Sequence, residues 1–114
     1  MVSTALDVAH WDVALTSGKI INRNLLRDMI TPAAAVTTSA VYSGCSYAMG
    51  WYVCQRPPYR VFQHDGVIAG FMASNAIARH QKDGSWMSAT VLANIDASID
   101  IVELVRNILK VGAR

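Results

Sequence analysis

The chain has 114 residues, of which 53% are hydrophobic and only 16% are charged, with a formal net charge of +2. This length corresponds to one domain or a piece of one, and so few charges predict that some apolar surface is covered by a missing part of the domain or by a second subunit. No basic cluster alternates with aromatic residues, which argues against nucleic acid as a partner.

Two short helices are predicted at the N terminus. Ser3 or Thr4 can cap a helix, and Thr4 and Asp7 have the spacing of a capping box, so a helix is expected to begin here rather than a secretory signal. Gly18 is expected to end that helix. Asn22 can cap a second helix, which Pro32 stops.

Within the first helix, Val8, Trp11 and Leu15 recur at helical spacing. Trp11 is expected to anchor this helix in the core. Asp7 and Asp12 are expected to be charges on the helix surface rather than a pair of catalytic acids.

The stretch from residue 29 to residue 55 contains no charged residue, and it is predicted to be a buried loop followed by a strand. Pro32 and Gly50 help to break it up too often for a membrane-spanning helix. Cys45 and Cys54 flank its second half. If that half is one extended strand, the two cysteines lie about 30 Å apart, so no disulfide between them is expected.

The second half of the chain predicts four strands in two hairpins. A strand over residues 47–53 and another over 60–64 are joined by a turn that contains two prolines. A third strand over 71–79 and a fourth over 86–94 are joined by an Asp-Gly dipeptide, which a tight hairpin prefers.

An amphipathic helix is predicted near the C terminus, and Ser98 is expected to cap it. Its apolar face consists of five aliphatic residues, Ile101, Val102, Val105, Ile108 and Leu109. The last two strands are apolar or small on both faces, which is typical of strands that are covered on both sides. Helices of this chain can cover one face of the sheet, and the sequence has too few further segments to cover the other face.

These elements predict an α+β fold. The expected architecture is an antiparallel sheet of about four strands, flanked by two N-terminal helices and one C-terminal helix. Residues 1–114 are expected to form a single partial domain, because no linker or internal repeat divides them.

The most distinctive stretch is residues 63–71, Gln-His-Asp-Gly-Val-Ile-Ala-Gly-Phe. It has the form H-x-G-x-x-x-G-aromatic and follows a short β-rich run. Because Gly66 has no Cβ, another chain or a substrate amide can lie close against the strand there. Such a segment offers β-type docking and a backbone N–H for a developing oxyanion.

The neighbours of this stretch are residues 7–15 with Gly18-Lys19, residues 47–51, residues 90–94 and the C-terminal helix, in that order. Together they resemble the C-terminal part of the serine β-lactamase and penicillin-binding-protein family. The class C-like branch, which includes D-Ala-D-Ala carboxypeptidases and esterases, is the most similar. The resemblance covers nearly the whole chain but only a C-terminal portion of a complete family domain, so it implies part of a β-lactamase-like or transpeptidase-like fold.

The resemblance implies roles for four residues. In that family a Ser in S-x-x-K attacks the acyl carbonyl, a Tyr in Y-x-N or Y-x-S assists, and a K-T-G or H-x-G strand faces the nucleophile. His64 would replace the motif lysine and hold the Tyr proton network or a substrate carboxylate. Val67 would offer its backbone N–H to the oxyanion hole. Asp65 and Gly66 would contribute to substrate binding, and neither a metal nor another cofactor is implied.

Two of the three catalytic elements are missing from this sequence. None of its nine serines is followed by Lys three residues later, and none of its four tyrosines begins Y-x-N or Y-x-S. Asp65 stands where many relatives carry Ser or Thr, and its carboxylate would repel an anionic substrate group. An ester or amide without that anion is easier to accommodate.

The sequence therefore predicts the C-terminal fragment of a β-lactamase-related serine hydrolase that is inactive alone. A missing N-terminal part of the domain or a second subunit would complete the site, and a small acyl compound would be the substrate. The alternative is a non-catalytic interaction module, or a homodimer, that uses an exposed strand edge. A degenerate remnant without activity is the third possibility. The compartment stays open, although members of the family are often extracytoplasmic.

Overall fold

The computed structural model describes residues 2–95 and 99–114. These residues form three helices, α1 (Ala5–Thr16), α2 (Arg23–Met29) and α3 (Ile101–Gly112). They also form six strands, β1 (Ala34–Ala35), β2 (Ser46–Tyr47), β3 (Tyr52–Arg56), β4 (Tyr59–Ile68), β5 (Phe71–His80) and β6 (Trp86–Ala93). The strands pair in chain order and every pair is antiparallel, so the sheet is a meander. The predicted α+β class is confirmed, and the described strands number six rather than about four.

The predicted single strand over residues 47–53 is wrong. The chain reverses there, because Gly50 adopts a φ of +79° and the Ala48 N–H donates to the Trp51 carbonyl oxygen at 2.9 Å. Tyr47 and Tyr52 consequently become register partners in the β2–β3 hairpin. Aromatic residues favour a strand, but a glycine in the left-handed region provides the turn.

This reversal joins Cys45 and Cys54 in a disulfide, with their Cα atoms 4.5 Å apart. The prediction that no disulfide links them is therefore wrong. The long separation expected from the sequence required an extended strand between the two cysteines, whereas the hairpin places Cys45, the residue before β2, beside Cys54 of β3.

The two faces of the sheet are covered by different helices of this chain. On the face covered by α1 and α2, the buried residues include Leu15, Leu26, Trp51, Phe62 and Ile77. On the face covered by α3, they include Val61, Ala76, Ala89, Val105 and Leu109. The chain was expected to have too few segments to cover the second face of the sheet. This expectation is wrong, because the N-terminal and C-terminal helices lie on opposite faces of the sheet.

The helix starts follow local capping chemistry. Thr4 accepts a hydrogen bond from the Asp7 N–H at 3.1 Å, and Asn22 caps α2 by accepting from the N–H groups of residues 24 and 25. Both predicted caps are confirmed. Asp100 caps α3, whereas the predicted cap Ser98 lies outside the described residues. Ile108 was expected on the buried face of α3 but is exposed.

Two side chains of α1 differ from their predicted environments. Trp11 is half-exposed and stacks on Trp51, with ring centroids 6.4 Å apart. Asp12 is buried, with 1% of its surface exposed, so its prediction as a surface charge is wrong. Asp12 precedes buried Leu15 by three residues and therefore shares its face of the helix.

None of the described helices combines the length and apolar character that crossing a membrane requires.

Candidate functional site

The environment of β4 changes halfway along the strand. Its inner half, Tyr59–Gln63, pairs with β3 on one edge and with β5 on the other. Its outer half, His64–Ile68, pairs with β5, and no other described strand continues the ladder on the opposite edge. This open edge begins at the stretch that the sequence singled out, and β4 extends four residues beyond the predicted strand end at His64.

His64 lies at the start of the open edge and is exposed. Its Nε2 atom is 3.2 Å from the Tyr47 hydroxyl oxygen. Its ring also stacks against Tyr52, with centroids 5.6 Å apart. The β2–β3 reversal therefore supplies the two aromatic residues that hold the imidazole, and the sequence did not predict this contact.

Asp65 belongs to the opposite face of the sheet, because successive strand residues alternate. Its carboxylate accepts a hydrogen bond from the hydroxyl of buried Tyr42. Burial, and then the hydrogen bond to Asp65, raise the pKa of Tyr42 well above its usual value. The Arg106 guanidinium carbon lies 5.5 Å from the centre of the Tyr42 ring. The Tyr42 ring also stacks on Tyr52, with centroids 3.7 Å apart. The Asp65 carboxylate and the His64 imidazole are therefore connected through two tyrosine rings rather than by a direct contact.

The rest of the outer half is open and apolar. An added Cβ at Gly66 would meet no described heavy atom within 4 Å, so a ligand has room to approach the backbone there. Val67 is 59% exposed and Ile68 is 70% exposed. Phe71, the register partner of Ile68 on β5, is 57% exposed. The open edge of β4 therefore begins at a polar residue, His64, and continues as an exposed apolar surface.

A polar row crosses the sheet behind His64. Asn75 is the register partner of His64, and Thr90 is the register partner of Asn75. The Thr90 hydroxyl donates to Asn75 Oδ1 at 2.7 Å, and Asn75 Nδ2 donates to Asp12 Oδ1 at 2.9 Å. The sequence signal that could have predicted this row is one polar residue, His64, Asn75 or Thr90, in each of the adjacent strands β4, β5 and β6.

The carboxyl of Asp12 is incompletely satisfied. Burial raises the pKa of Asp12 from 3.8 to about 6, and the hydrogen bond from Asn75 opposes that shift. The Ser88 hydroxyl is close enough to lower the pKa somewhat, yet Asp12 Oδ2 has no hydrogen-bond partner of normal geometry among the described residues. A buried titratable group therefore lies behind the open edge.

On the other face, buried Gln63 has partners for both ends of its amide. Its Nε2 donates to the Ser74 hydroxyl at 3.2 Å and to the Val102 carbonyl oxygen at 3.5 Å. Its Oε1 accepts from Arg106 Nε at 3.3 Å. Ser74 is buried in this network, so it is not positioned as a nucleophile for a ligand on the exposed edge.

Comparisons with protein-family models, with curated proteins and with solved structures found no match. The functional inferences therefore depend on the geometry of the site. An imidazole paired with a phenol can transfer a proton, and an open strand edge can bind an extended segment through main-chain hydrogen bonds.

Proposed function

We propose that the outer half of β4 is one wall of an acyl-binding site in a serine hydrolase related to the β-lactamases and penicillin-binding proteins. The observation that supports this proposal is the open strand edge that begins at exposed His64, with the Tyr47 hydroxyl 3.2 Å from its Nε2. A segment outside this sequence, or another polypeptide, supplies the nucleophile. The fold of the complete domain would then be β-lactamase-like.

In this proposal an acyl compound lies along the outer half in an extended conformation. The backbone N–H of Val67 stabilises the developing oxyanion, a contribution that is typically worth about 3–4 kcal/mol in the transition state. His64 and Tyr47 hold or move a proton at the edge of the site. Ile68 and Phe71 contact an apolar substituent. Because Tyr42 binds the Asp65 carboxylate, Asp65 repels a bound anion less than a free carboxylate would.

The chain alone is expected not to turn over substrate, because an oxyanion donor without a nucleophile does not transfer an acyl group. The measurement is hydrolysis of a chromogenic cephalosporin and of p-nitrophenyl butyrate by the purified chain. Turnover that persists in His64→Ala would contradict the assigned role of His64.

Binding can be measured separately from turnover. Titration of the 15N-labelled chain with N-acetyl-D-alanyl-D-alanine methyl ester should shift the amide signals of residues 64–68. His64→Ala should reduce those shifts, whereas His10→Ala, a change of an exposed histidine on α1, should leave them unchanged. Absence of any shift in residues 64–68 would contradict the proposed site.

A second candidate function is binding of a partner strand, favoured by the exposure of Ile68 and Phe71 beside the open edge. In this case two copies, or a partner segment, would pair along the outer half by strand addition. Light scattering would then show a dimer that Ile68→Lys converts to a monomer. Val111→Lys is the matched control, because Val111 is 68% exposed but lies on α3.

A further inference from the structure

Four arginines line a cavity at the opposite end of β4 from Ile68. The cavity has a volume of about 420 Å³ and lies between α2 and the sheet. Its arginines are Arg23 and Arg27 of α2, Arg60 of β4 and Arg79 of β5. Arg60 precedes His64 by four residues, which corresponds to about 13 Å along a strand. This cavity is therefore separate from the open edge.

The two arginines of the sheet lie side by side. Arg60 and Arg79 are register partners on β4 and β5, an arrangement in which like charges destabilise a sheet. The guanidinium carbon of Arg60 is 5.4 Å from the centre of the Phe62 ring, and that of Arg79 is 5.5 Å from the Trp86 ring. Such contacts use the planar face of a guanidinium and leave its N–H edge available to an anion.

Two carboxylates compensate only part of the positive charge of the cavity, because Asp83 lies in its lining and Asp28 Oδ1 is 3.8 Å from Arg27 Nε. The acidic residue in its lining is Asp83, whose Oδ1 already accepts from the Ser85 N–H and hydroxyl at 2.9 and 2.7 Å. Within residues 2–95 and 99–114, no ion pair joins a carboxylate to Arg23, Arg60 or Arg79. Arg60 Nε is buried and has no hydrogen-bond partner in the same ranges.

The rest of the cavity lining is mixed, with apolar side chains beside Thr16, Thr31 and Gly84. Leu26 and Ile30 contribute aliphatic surface, and Trp86 contributes an aromatic ring. A volume of this size is within the range of small-molecule sites, which combine apolar walls with a few polar groups. The cavity therefore combines a cationic end with a surface for an organic group.

We propose that this cavity binds a small soluble phosphate monoester. The guanidinium groups of Arg60 and Arg79 bind the phosphoryl oxygens, because their planar N–H forks match phosphate geometry. The anion also relieves the repulsion between the two arginines. The organic group of the ester packs against the Trp86 ring. This inference is independent of the function proposed for the open edge.

Phenyl phosphate and inorganic phosphate are the two probes, compared by calorimetric titration at constant ionic strength. We expect phenyl phosphate to bind at least fivefold more tightly than inorganic phosphate, because the apolar side chains of the lining contact its ring. Equal affinity of the two probes would overturn the assignment of a monoester, and absence of binding by both would overturn the site.

Substitutions then identify the residues that bind the phosphate. Arg60→Gln and Arg79→Gln should each weaken phenyl phosphate at least tenfold, whereas Arg56→Gln, which removes an exposed arginine outside this lining, should have less than a twofold effect. Arg79→Lys keeps the charge and should still weaken binding several-fold because the fork is lost. Equal weakening by Arg56→Gln would show attraction by net charge alone and overturn the proposal.

The source of the phosphoryl group is tested with vesicles. Sedimentation with phosphatidic acid vesicles should leave the chain in the supernatant, because the proposed ligand is a soluble monoester. Co-sedimentation that Arg60→Gln abolishes would overturn the proposal in favour of a lipid headgroup.

Discussion

The two halves of β4 differ in how deeply their side chains are buried and therefore in how much those side chains stabilise the fold. The inner half lies between two strands and contains buried Phe62 and Gln63. The outer half has one open edge and contains Val67 and Ile68, which are mostly exposed. Side chains in the inner half gain free energy from burial when the chain folds, whereas those in the outer half gain little. One strand therefore contains a half that stabilises the fold and a half that contributes little to stability.

Phe62→Ala in the inner half should lower the free energy of unfolding more than any other change proposed for this strand. It removes a fully buried ring between α1 and the sheet and should lower the free energy of unfolding by about 3–5 kcal/mol. Ile68→Ala in the outer half should change it by less than about 0.5 kcal/mol. Urea denaturation of both variants is the measurement, and equal losses would contradict the contrast between the two halves.

Removing the disulfide should have the next largest effect. The disulfide joins Cys54 of β3 to Cys45, the residue before β2, and so closes the hairpin that supplies Tyr47 and Tyr52. The double change Cys45→Ala with Cys54→Ala should lower the free energy of unfolding by about 2–3 kcal/mol, from the loss of a short closed loop in the unfolded chain. It should also weaken the contacts of His64 with these tyrosines. A double variant that unfolds at the same urea concentration as the parent would contradict this expectation.

Asp12→Asn tests the polar row behind the outer half. Asp12 has a pKa of about 6 in the folded chain, above its ordinary value of 3.8, so the folded state retains its proton to higher pH than the unfolded state. The contribution of Asp12 to stability therefore falls as the pH rises from about 4 to about 6, and it stays low above that range.

Asp12→Asn should accordingly be more stable than the parent by about 1–3 kcal/mol at pH 8, since a difference of one in pKa corresponds to roughly 1.4 kcal/mol. The advantage should disappear at pH 3. Denaturant unfolding across this pH range is the measurement, with Asp28→Asn, a change of an exposed carboxylate on α2, as the control. An advantage that does not change with pH would contradict the raised pKa.

Tyr47→Phe should have the smallest effect on stability, less than about 0.5 kcal/mol, because it removes one exposed hydroxyl contact. Its consequence should be local. The 15N signals of the His64 ring should change, whereas those of His10 should not. Unchanged His64 signals would contradict the contact between the two side chains.

The elements that the sequence predicted correctly depend on neighbouring residues. Thr4 and Asn22 cap helices through N–H groups two or three residues away. A turn does form near residues 82–85, with Gly84 at a φ of +72°, although residues 81–85 separate β5 from β6 instead of a two-residue Asp-Gly hairpin. The strands β5 and β6 follow from composition and their flanking turns. Such signals are local, so a single sequence contains them.

The errors arise where a distant contact decides the outcome. The aromatic run around Gly50 has the propensity of a strand, but the ring contacts of Tyr52 with Tyr42 and Tyr47 exist only after the chain reverses. The disulfide depends on that reversal. The burial of Asp12 depends on Asn75, which lies 63 residues away in the sequence.

The candidate site was predicted in part. Residues 63–71 were singled out from their glycine and histidine spacing, and they include the open edge. The partner of His64 was not predicted, because Tyr47 approaches it only through the β2–β3 hairpin. The arginine cavity was also not predicted, since its four arginines come from α2, β4 and β5.

Hydrogen exchange of the backbone amides tests most directly whether the outer half of β4 is a binding surface. In the free chain we expect slow exchange in the inner half, residues 59–63, and faster exchange at the edge amides of residues 64–68. N-acetyl-D-alanyl-D-alanine methyl ester should slow exchange in residues 64–68 and leave residues 59–63 unchanged. Protection that appears elsewhere, or no protection at a saturating ester concentration, would contradict the assignment of this edge as the acyl-binding wall.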